Sequence, residues 1–360
     1  MVLKLVTAPF TNDWNKSPTR ILVDASFRWI SSTLSVSQMQ SVMGTTLSVF
    51  QTWAQKNKMD TTVEELGSDA RLLWLGGPNK EKVIIYLHGS CIFIVVCPLS
   101  PCLGGVYCLP VQDFALTFWK HSIEALRQRS HDFGFAALNY CKYALTARAC
   151  LTDAFAALMP TAHFPTQLSQ LVLAVEHLIA KGIKPQNITL VGESAGGALI
   201  LQLVSHILHP YPGVPILPKS IRFNGACIMC PWVALEGNTG SFAENDKSDS
   251  LPAATWAYLG EQTLSKMTPD QCPYLEASMA PEGWFEGANS IFPEVLFTVG
   301  EKECLRDDVV KVAKMVEGAE VYIHPFGVHN DQYLDCMVSP KRKPGGGLTK
   351  RILDWLAERP

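Results

Sequence analysis

The chain has 360 residues, of which 48% are hydrophobic and 18% charged, and its formal net charge at pH 7 is −3. This length and composition allow one large α/β domain or two ordinary domains with a sizeable core. A sequence pI near 6.3 excludes the strong positive field that nucleic-acid binding requires, so no nucleic-acid partner is expected.

Two apolar stretches indicate where in the cell the protein is expected. The first residues, MVLKLVTAPFTNDWNK, hold too short an apolar run for a signal peptide, so we expect a cytoplasmic protein. The run CIFIVVCPLSPCL at 91–103 contains prolines and is shorter than the roughly 20 residues that span a bilayer. Stable insertion in a membrane is therefore not expected.

Short strand-like runs alternate with helical patterns from about residue 69 onward. This alternation predicts a mostly parallel sheet with helices on both faces. Residues 1–60 hold helical patterns and no strand, a helix is predicted over 166–181, and a last helix from Thr349 to about Glu358. The predicted strands are ARLLWLG, KVIIYLHG, FGFAALNY, NITLVGE, GACIMCPW, EVLFTVGE and AEVYIHPF.

The run LVGESAGGALILQLV places a polar cluster between a predicted strand and a predicted helix. Residues 192–196 match Gly-x-Ser-x-Gly, which in this context is a nucleophile elbow. A sharp reversal of this kind holds Ser194 in a strained backbone conformation, and only small residues at 192 and 196 let the neighbouring backbones pass. The Ala195 amide, at the start of the helix, points to an oxyanion site beside the serine.

The cysteines are expected to be reduced thiols, because the chain is long and shows no export signal. Cys227 and Cys230 have the Cys-x-x-Cys spacing of redox and zinc sites. They lie in the apolar run GACIMCPW with no second pair at metal-site spacing, which favours a buried strand.

Residues 233–290 are polar and helix-capable, and they interrupt the succession of predicted strands. We therefore expect an α/β core formed by residues 61–232 and 291–360. Residues 1–60 and the insertion 233–290 would together form a helical cap over one edge of the sheet.

A serine nucleophile needs a general base, and the base needs a carboxylate that fixes its tautomer. His329 follows the last predicted strand in a loop and is the preferred base, whereas His324 stands at the strand end and is expected to be packed. Glu303 follows the preceding strand and is the preferred acid. Asp307 and Asp308 remain rivals, although they are expected to begin a helix and to cap it.

These residues resemble the hormone-sensitive-lipase-like branch of the α/β-hydrolases, over about residues 69–360. GESAGG at 192–197 matches the elbow of that branch, and ECLRD at 303–307 matches its acid motif with glutamate in the acid's place. The resemblance implies the α/β-hydrolase fold, a helical cap, and ester hydrolysis by Ser194, His329 and Glu303 with neither metal nor cofactor.

The family's His-Gly-Gly-Gly loop is interrupted in this chain. His88 and Gly89 are separated from Gly104 and Gly105 by residues 90–103, and a second break at 141–157 follows LNY. Both segments can be encoded with splice signals, so we interpret them as translated introns of a fungal gene; the alternative is that they are real loops near the active site. The oxyanion amides are expected from Gly89, Gly104, Gly105 and Ala195.

The substrate implied by the resemblance is a short-acyl ester, such as an acetyl ester, of a small hydrophobic molecule. The segment PWVALEGNTGSFAENDKSD is similar to cap segments of fungal esterases, some of which deacetylate sterols or secondary metabolites. Two other functions remain open: a non-catalytic ligand-binding protein on the same fold, and an acyltransferase with the same triad. The oligomeric state does not follow from the sequence.

Overall fold

The computed structural model describes residues 16–34, 44–78, 80–89, 110–140, 164–265, 267–338 and 346–359. They contain an eight-stranded sheet with the order β1-β2-β4-β3-β5-β6-β7-β8. The strands are β1 (Thr61–Gly67), β2 (Ala70–Leu75), β3 (Val83–Leu87), β4 (Gly134–Asn139), β5 (Ile188–Glu193), β6 (Gly225–Met229), β7 (Val295–Gly300) and β8 (Ala319–His324).

The sheet is antiparallel only where it begins. β1 pairs antiparallel with β2, and β2 pairs antiparallel with β4. All the other pairs, from β4 through β3, β5, β6 and β7 to β8, are parallel. Every residue of β2, β3, β4, β5, β6 and β7 is buried, as expected for strands covered on both faces. This explains why these strands appear in the sequence as continuous apolar runs.

The sequence analysis did not identify β1. Its seven residues, TTVEELG, alternate between exposed and half-buried positions and carry no apolar run. The strand is formed by a tight hairpin with β2, in which Ser68 and Asp69 adopt φ angles of 48° and 58°. Positive φ at both central residues is the geometry of the type I′ turn that joins neighbouring antiparallel strands.

Helices cover both faces of the sheet, and the predicted helix at 166–181 is confirmed within one residue. The predicted last helix is also confirmed, although it begins two residues earlier. The helices are α1 (Pro18–Thr33), α2 (Thr46–Asn57), α3 (Asp113–Gln128), α4 (Thr166–Ala180), α5 (Ala195–Leu208), α6 (Gly240–Asn245), α7 (Ala253–Leu264), α8 (Cys272–Leu275), α9 (Ala288–Ile291), α10 (Arg306–Met315), α11 (Asp331–Val338) and α12 (Gly347–Ala357).

The first helix, α1, packs against two later parts of the chain. The Thr255 hydroxyl of α7 donates to the Ser31 carbonyl at 3.1 Å, and Arg28 donates to the Asp249 carbonyl at 3.0 Å. Arg20 forms an ion pair with Asp331, the first residue of α11. The N-terminal region and the insertion after β6 are therefore in direct contact.

None of the helices in the described ranges combines the length and the apolarity that crossing a bilayer demands. The two inserts at 90–103 and 141–157 lie outside the described residues.

Candidate active site

Ser194 stands at the reversal between β5, which ends at Glu193, and α5, which begins at Ala195. Its backbone has φ 52° and ψ −118°, a conformation that L-residues rarely adopt. A Cβ at residue 196 would lie 1.9 Å from the Leu87 carbonyl oxygen, and one at residue 192 would lie 2.6 Å from the Gly196 oxygen. Glycine is required at both positions because β5, α5 and β3 approach so closely.

The serine lies in a continuous line of side chains with His329 and Glu303. The Ser194 Oγ is 3.1 Å from His329 Nε2, and His329 Nδ1 is 2.7 Å from the Glu303 Oε1. The exposed fractions of the three residues are 3%, 1% and 0%. With the proton on Nδ1, the imidazole donates to Glu303 and presents the Nε2 lone pair to the serine hydroxyl.

Glu303 lies three residues beyond β7, and His329 lies in the loop between β8 and α11. Burial raises the pKa of the Glu303 carboxyl, and the nearby His329, with its hydrogen bond, opposes this rise. The second carboxylate oxygen accepts the Gly300 N–H at 2.9 Å, so both oxygens are held.

The rivals considered for acid and base have other partners. Asp307 and Asp308 lie in the first turn of α10, as expected, where Asp307 accepts the Ser241 N–H and Asp308 accepts the Thr239 hydroxyl. His324 ends β8 and lies 3.2 Å from Asp331. The structure thus brings Glu303, and neither aspartate, to His329.

Comparison with known proteins agrees with this architecture. Residues 156–327 match a family model described as alpha/beta hydrolase fold. A crystal structure of an esterase from the bacterial hormone-sensitive lipase family superposes with a TM-score of 0.65 at 20% identity, over 96% of this chain and 99% of that chain. The chain has the α/β-hydrolase fold. A hormone-sensitive lipase from a metagenome library gives a TM-score of 0.64 at 17% identity, covering 94% of this chain and 98% of that chain.

Two curated relatives resemble part of this chain. The putative steryl acetyl hydrolase mug81 of Schizosaccharomyces pombe is 25% identical over 51% of this chain and 48% of its own length. An esterase of Acinetobacter venetianus is 25% identical over 46% of this chain and 50% of its own length. The chain thus matches about half the length of these relatives.

Glu193, between Gly192 and Ser194, holds the end of β3. Its Oε1 accepts the Gly89 N–H at 2.7 Å and the Tyr86 hydroxyl at 2.8 Å, and its Oε2 accepts the Tyr333 hydroxyl at 3.0 Å. Burial raises the pKa of Glu193 to about 7, although these three donors favour the ionised form. The residue connects β3, β5 and α11 beneath the candidate site.

This geometry corrects one assignment at the oxyanion site. The Gly89 N–H was expected to face the oxyanion, but it is already donated to Glu193. A Cβ at residue 89 would lie 2.7 Å from the Ser194 Cβ, so glycine is required there for close approach to the serine. Gly104 and Gly105 lie outside the described residues. Ala195 is the first residue of α5, where an N–H has no partner within the helix.

His88, the residue before Gly89, is buried and stacks on Tyr140 with the ring centroids 4.7 Å apart. Burial lowers the pKa of His88 to about 4, so the ring is neutral at pH 7. Its Nε2 is 3.3 Å from the Thr46 hydroxyl of α2, and the Tyr140 hydroxyl donates to the His88 carbonyl. The histidine is therefore held between α2 and Tyr140 and does not serve as a second base.

Among the described residues, one group of potential metal ligands comes together, formed by Cys230, Glu303 and His329. Each already has a protein partner: the Cys230 thiol donates to the Asn330 Oδ1 at 3.0 Å, and both His329 nitrogens contact Ser194 or Glu303. Cys227 lies in β6, which confirms the buried-strand interpretation for this residue, and Cys230 directly follows the strand; both side chains are buried.

Sequence reasoning did not assign three residues that contact the site. Glu193 lies inside the elbow motif GESAGG, and a charged residue between glycine and serine was the signal that could have identified it. Trp256 packs edge-on against the His329 ring, with the centroids 4.8 Å apart. Asp249, in the same inserted segment as Trp256, accepts the backbone N–H of His329 at 2.9 Å. Neither of these two positions shows a motif in the sequence.

Proposed function

We propose that the chain is a serine carboxylic-ester hydrolase in which Ser194 is the nucleophile, His329 the general base and Glu303 the acid. The observation that carries the proposal is the buried line of contacts from Ser194 Oγ through the two His329 nitrogens to Glu303, at 3.1 Å and 2.7 Å. A nucleophile, a base within hydrogen-bond reach and a carboxylate that orients the base are the three parts that acyl transfer requires.

The reaction proceeds in two stages. Ser194 Oγ attacks the ester carbonyl carbon while its proton passes to His329 Nε2, and the carbonyl oxygen becomes an oxyanion. The intermediate collapses when the carbon–oxygen bond to the alcohol breaks and the leaving alkoxide takes the proton from His329. Water then attacks the acyl-serine and loses a proton to His329. The bond between Ser194 Oγ and the acyl carbon breaks as Oγ takes that proton back from His329, which releases the acid and restores the free serine. Glu303 stabilises the imidazolium in both stages.

In this proposal the Ala195 N–H donates a hydrogen bond to the oxyanion, and Ala195 lies within the described residues. It stands at the N-terminus of the 14-residue helix α5, where the helix dipole favours negative charge. Gly104 and Gly105 are proposed as the remaining donors. Gly89 has a different part, because its amide anchors the start of this loop on Glu193.

The proposed substrate is a short-acyl ester, such as an acetyl ester, of a small hydrophobic molecule such as a sterol or secondary metabolite. The name of the fission-yeast relative, a putative steryl acetyl hydrolase, supports this class. We further propose that residues 1–60 and 233–290 form a cap over the site. Contacts of α1 with α7 and of Trp256 with His329 support this arrangement.

The test is hydrolysis of p-nitrophenyl esters of rising chain length by the wild type, Ser194→Ala and the control Ser290→Ala. Ser290 is exposed and donates to the Gly287 carbonyl, far from His329 in the chain. We expect the wild type and Ser290→Ala to cleave the acetyl ester fastest and Ser194→Ala to be inactive. Activity of Ser194→Ala near that of the wild type would refute the proposal. Ester product formed with an added alcohol, in excess over acid, would instead indicate an acyltransferase.

A further inference from the structure

Asp249 is a buried carboxylate outside the three residues of the proposed triad. It lies between α6 and α7 in the segment inserted after β6, and only 2% of its surface is exposed. This segment reaches the site from a different part of the chain than the loops that carry Glu303 and His329. A buried charge needs several good partners to be tolerated.

The partners of Asp249 are backbone N–H groups of both loops. Its Oδ2 accepts the Cys304 N–H at 2.8 Å, directly after Glu303, and its Oδ1 accepts the His329 N–H at 2.9 Å. Oδ1 also accepts the Ser250 N–H at 2.7 Å. The neighbouring Ser250 hydroxyl donates to the His329 carbonyl at 3.0 Å, so both backbone polar groups of His329 are held by adjacent residues.

We propose that Asp249 is a positioning residue. Its carboxylate joins the loop that carries Glu303, the acid loop, to the loop that carries His329, the base loop, and so sets the contact between Glu303 and His329. This inference rests on the proposed function. Each loop leaves a different strand of the sheet, β7 for Glu303 and β8 for His329. The two Asp249 oxygens fix the main chain at Cys304 and at His329, on either side of the 2.7 Å contact between the side chains.

The segment around Asp249 is itself attached to the acid loop. The Asn245 side chain donates to the Glu303 carbonyl at 2.9 Å, and the Asp249 N–H donates to the Asn245 carbonyl at 2.9 Å. Burial raises the pKa of the Asp249 carboxyl, while His329 and the three N–H donors oppose the rise. The carboxylate therefore has a fixed position from which it can align both loops.

The experiment compares Asp249→Asn with the matched control Asp246→Asn in the same segment. Asp246 accepts the Ala253 N–H at 2.9 Å and lies 3.7 Å from Arg28, and its partners include neither the acid loop nor the base loop. Asp249→Asn keeps the size of the side chain but replaces one acceptor oxygen with an N–H₂ group that opposes a backbone donor. The measurements are kcat and KM for p-nitrophenyl acetate, the melting temperature, and the low-field proton resonance of His329 Nδ1–H.

We expect kcat of Asp249→Asn to fall by about a hundredfold, because small misplacement of reacting groups is costly, with KM nearly unchanged. Asp246→Asn should retain the wild-type kcat. Should Asp249→Asn not fold, Ser250→Ala, which removes one neutral hydrogen bond to the His329 carbonyl, is expected to lower kcat by about fivefold. Equal kcat in Asp249→Asn and the wild type, or equal losses in both asparagine variants, would overturn the inference.

The proton resonance separates this inference from the proposed function. If the wild-type chain hydrolyses no ester, the proposed function fails. The positioning role still stands if the low-field resonance is present in the wild type and Asp246→Asn and is lost in Asp249→Asn. The role is wrong if the resonance is the same in all three proteins or is missing from the wild type.

Discussion

Replacement of Glu193 by glutamine should change the pH dependence of stability. Burial raises the pKa of Glu193 to about 7 in the folded chain, from an ordinary value of 4.5. Between these values the folded protein keeps a proton that the unfolded chain releases, so the stability contributed by this group falls as pH rises from 4.5 to 7. The difference between these two pKa values corresponds to about 3 kcal/mol of unfolding free energy.

Glu193→Gln removes this titration. The measurement is urea unfolding of the wild type and Glu193→Gln at several pH values between 4 and 8. The unfolding free energy of the wild type minus that of the variant should fall by about 3 kcal/mol across the range. Taking the difference cancels the contributions of other buried carboxyls that the substitution leaves in place.

Tyr333→Phe provides the matched control for this prediction. It keeps the Glu193 carboxyl but removes the hydroxyl that donates to Oε2 at 3.0 Å. Loss of a donor to the ionised form should make the decline of stability with pH steeper than in the wild type. A wild-type minus Glu193→Gln difference that does not vary with pH would refute the assigned burial effect.

Three further predictions concern the acid, the inserts and the N-terminal helix. Glu303→Gln should lower kcat by a factor on the order of 10⁴, as loss of the orienting carboxylate leaves the wrong tautomer, whereas Asp307→Asn should cost far less; the reverse ranking in steady-state kinetics would move the acid to Asp307. Sequencing of the transcript should show that the segments 90–103 and 141–157 are spliced out. The spliced protein should exceed the 360-residue chain in kcat/KM by about a hundredfold, because one oxyanion donor contributes about that much. A cDNA that retains both segments, or equal kcat/KM for the two proteins, would show that the segments are tolerated loops. Arg20→Met should destabilise the chain by about 1.5–3 kcal/mol in urea unfolding, because Asp331, a half-buried carboxylate, loses its charged arginine donor and keeps His324 at 3.2 Å as a partner. A smaller loss than that of Lys350→Met, at an exposed ion pair, would contradict this.

The sheet could be predicted from the sequence wherever strands are buried on both faces. Such strands are continuous apolar runs between helical patterns, and each predicted run contains an observed strand. β1 was missed because its sequence TTVEELG has no two adjacent apolar residues, whereas β8, the other edge strand, contains the apolar run VYI. Its only local signal was the turn at Ser68 and Asp69, whose left-handed conformation is not evident from those residue types.

The candidate site divides in a similar way. Ser194, Glu303 and His329 were selected because a local motif or a position just after a strand indicated each of them. The partners of Gly89 and the contacts of Asp249 depend on chain segments that lie more than 50 residues apart in sequence. Such contacts are set by tertiary packing, so neither the alternation of apolar residues nor motif spacing could indicate them.

In the proposed mechanism, Ser194 is a nucleophile activated by His329 and Glu303. The most direct measurement is labelling with a fluorophosphonate, followed by mass spectrometry of the peptides. We expect one label per chain, on the peptide that contains Ser194, and slower labelling of Glu303→Gln. Equal labelling of Ser194→Ala and the wild type, or a label on another residue, would contradict it.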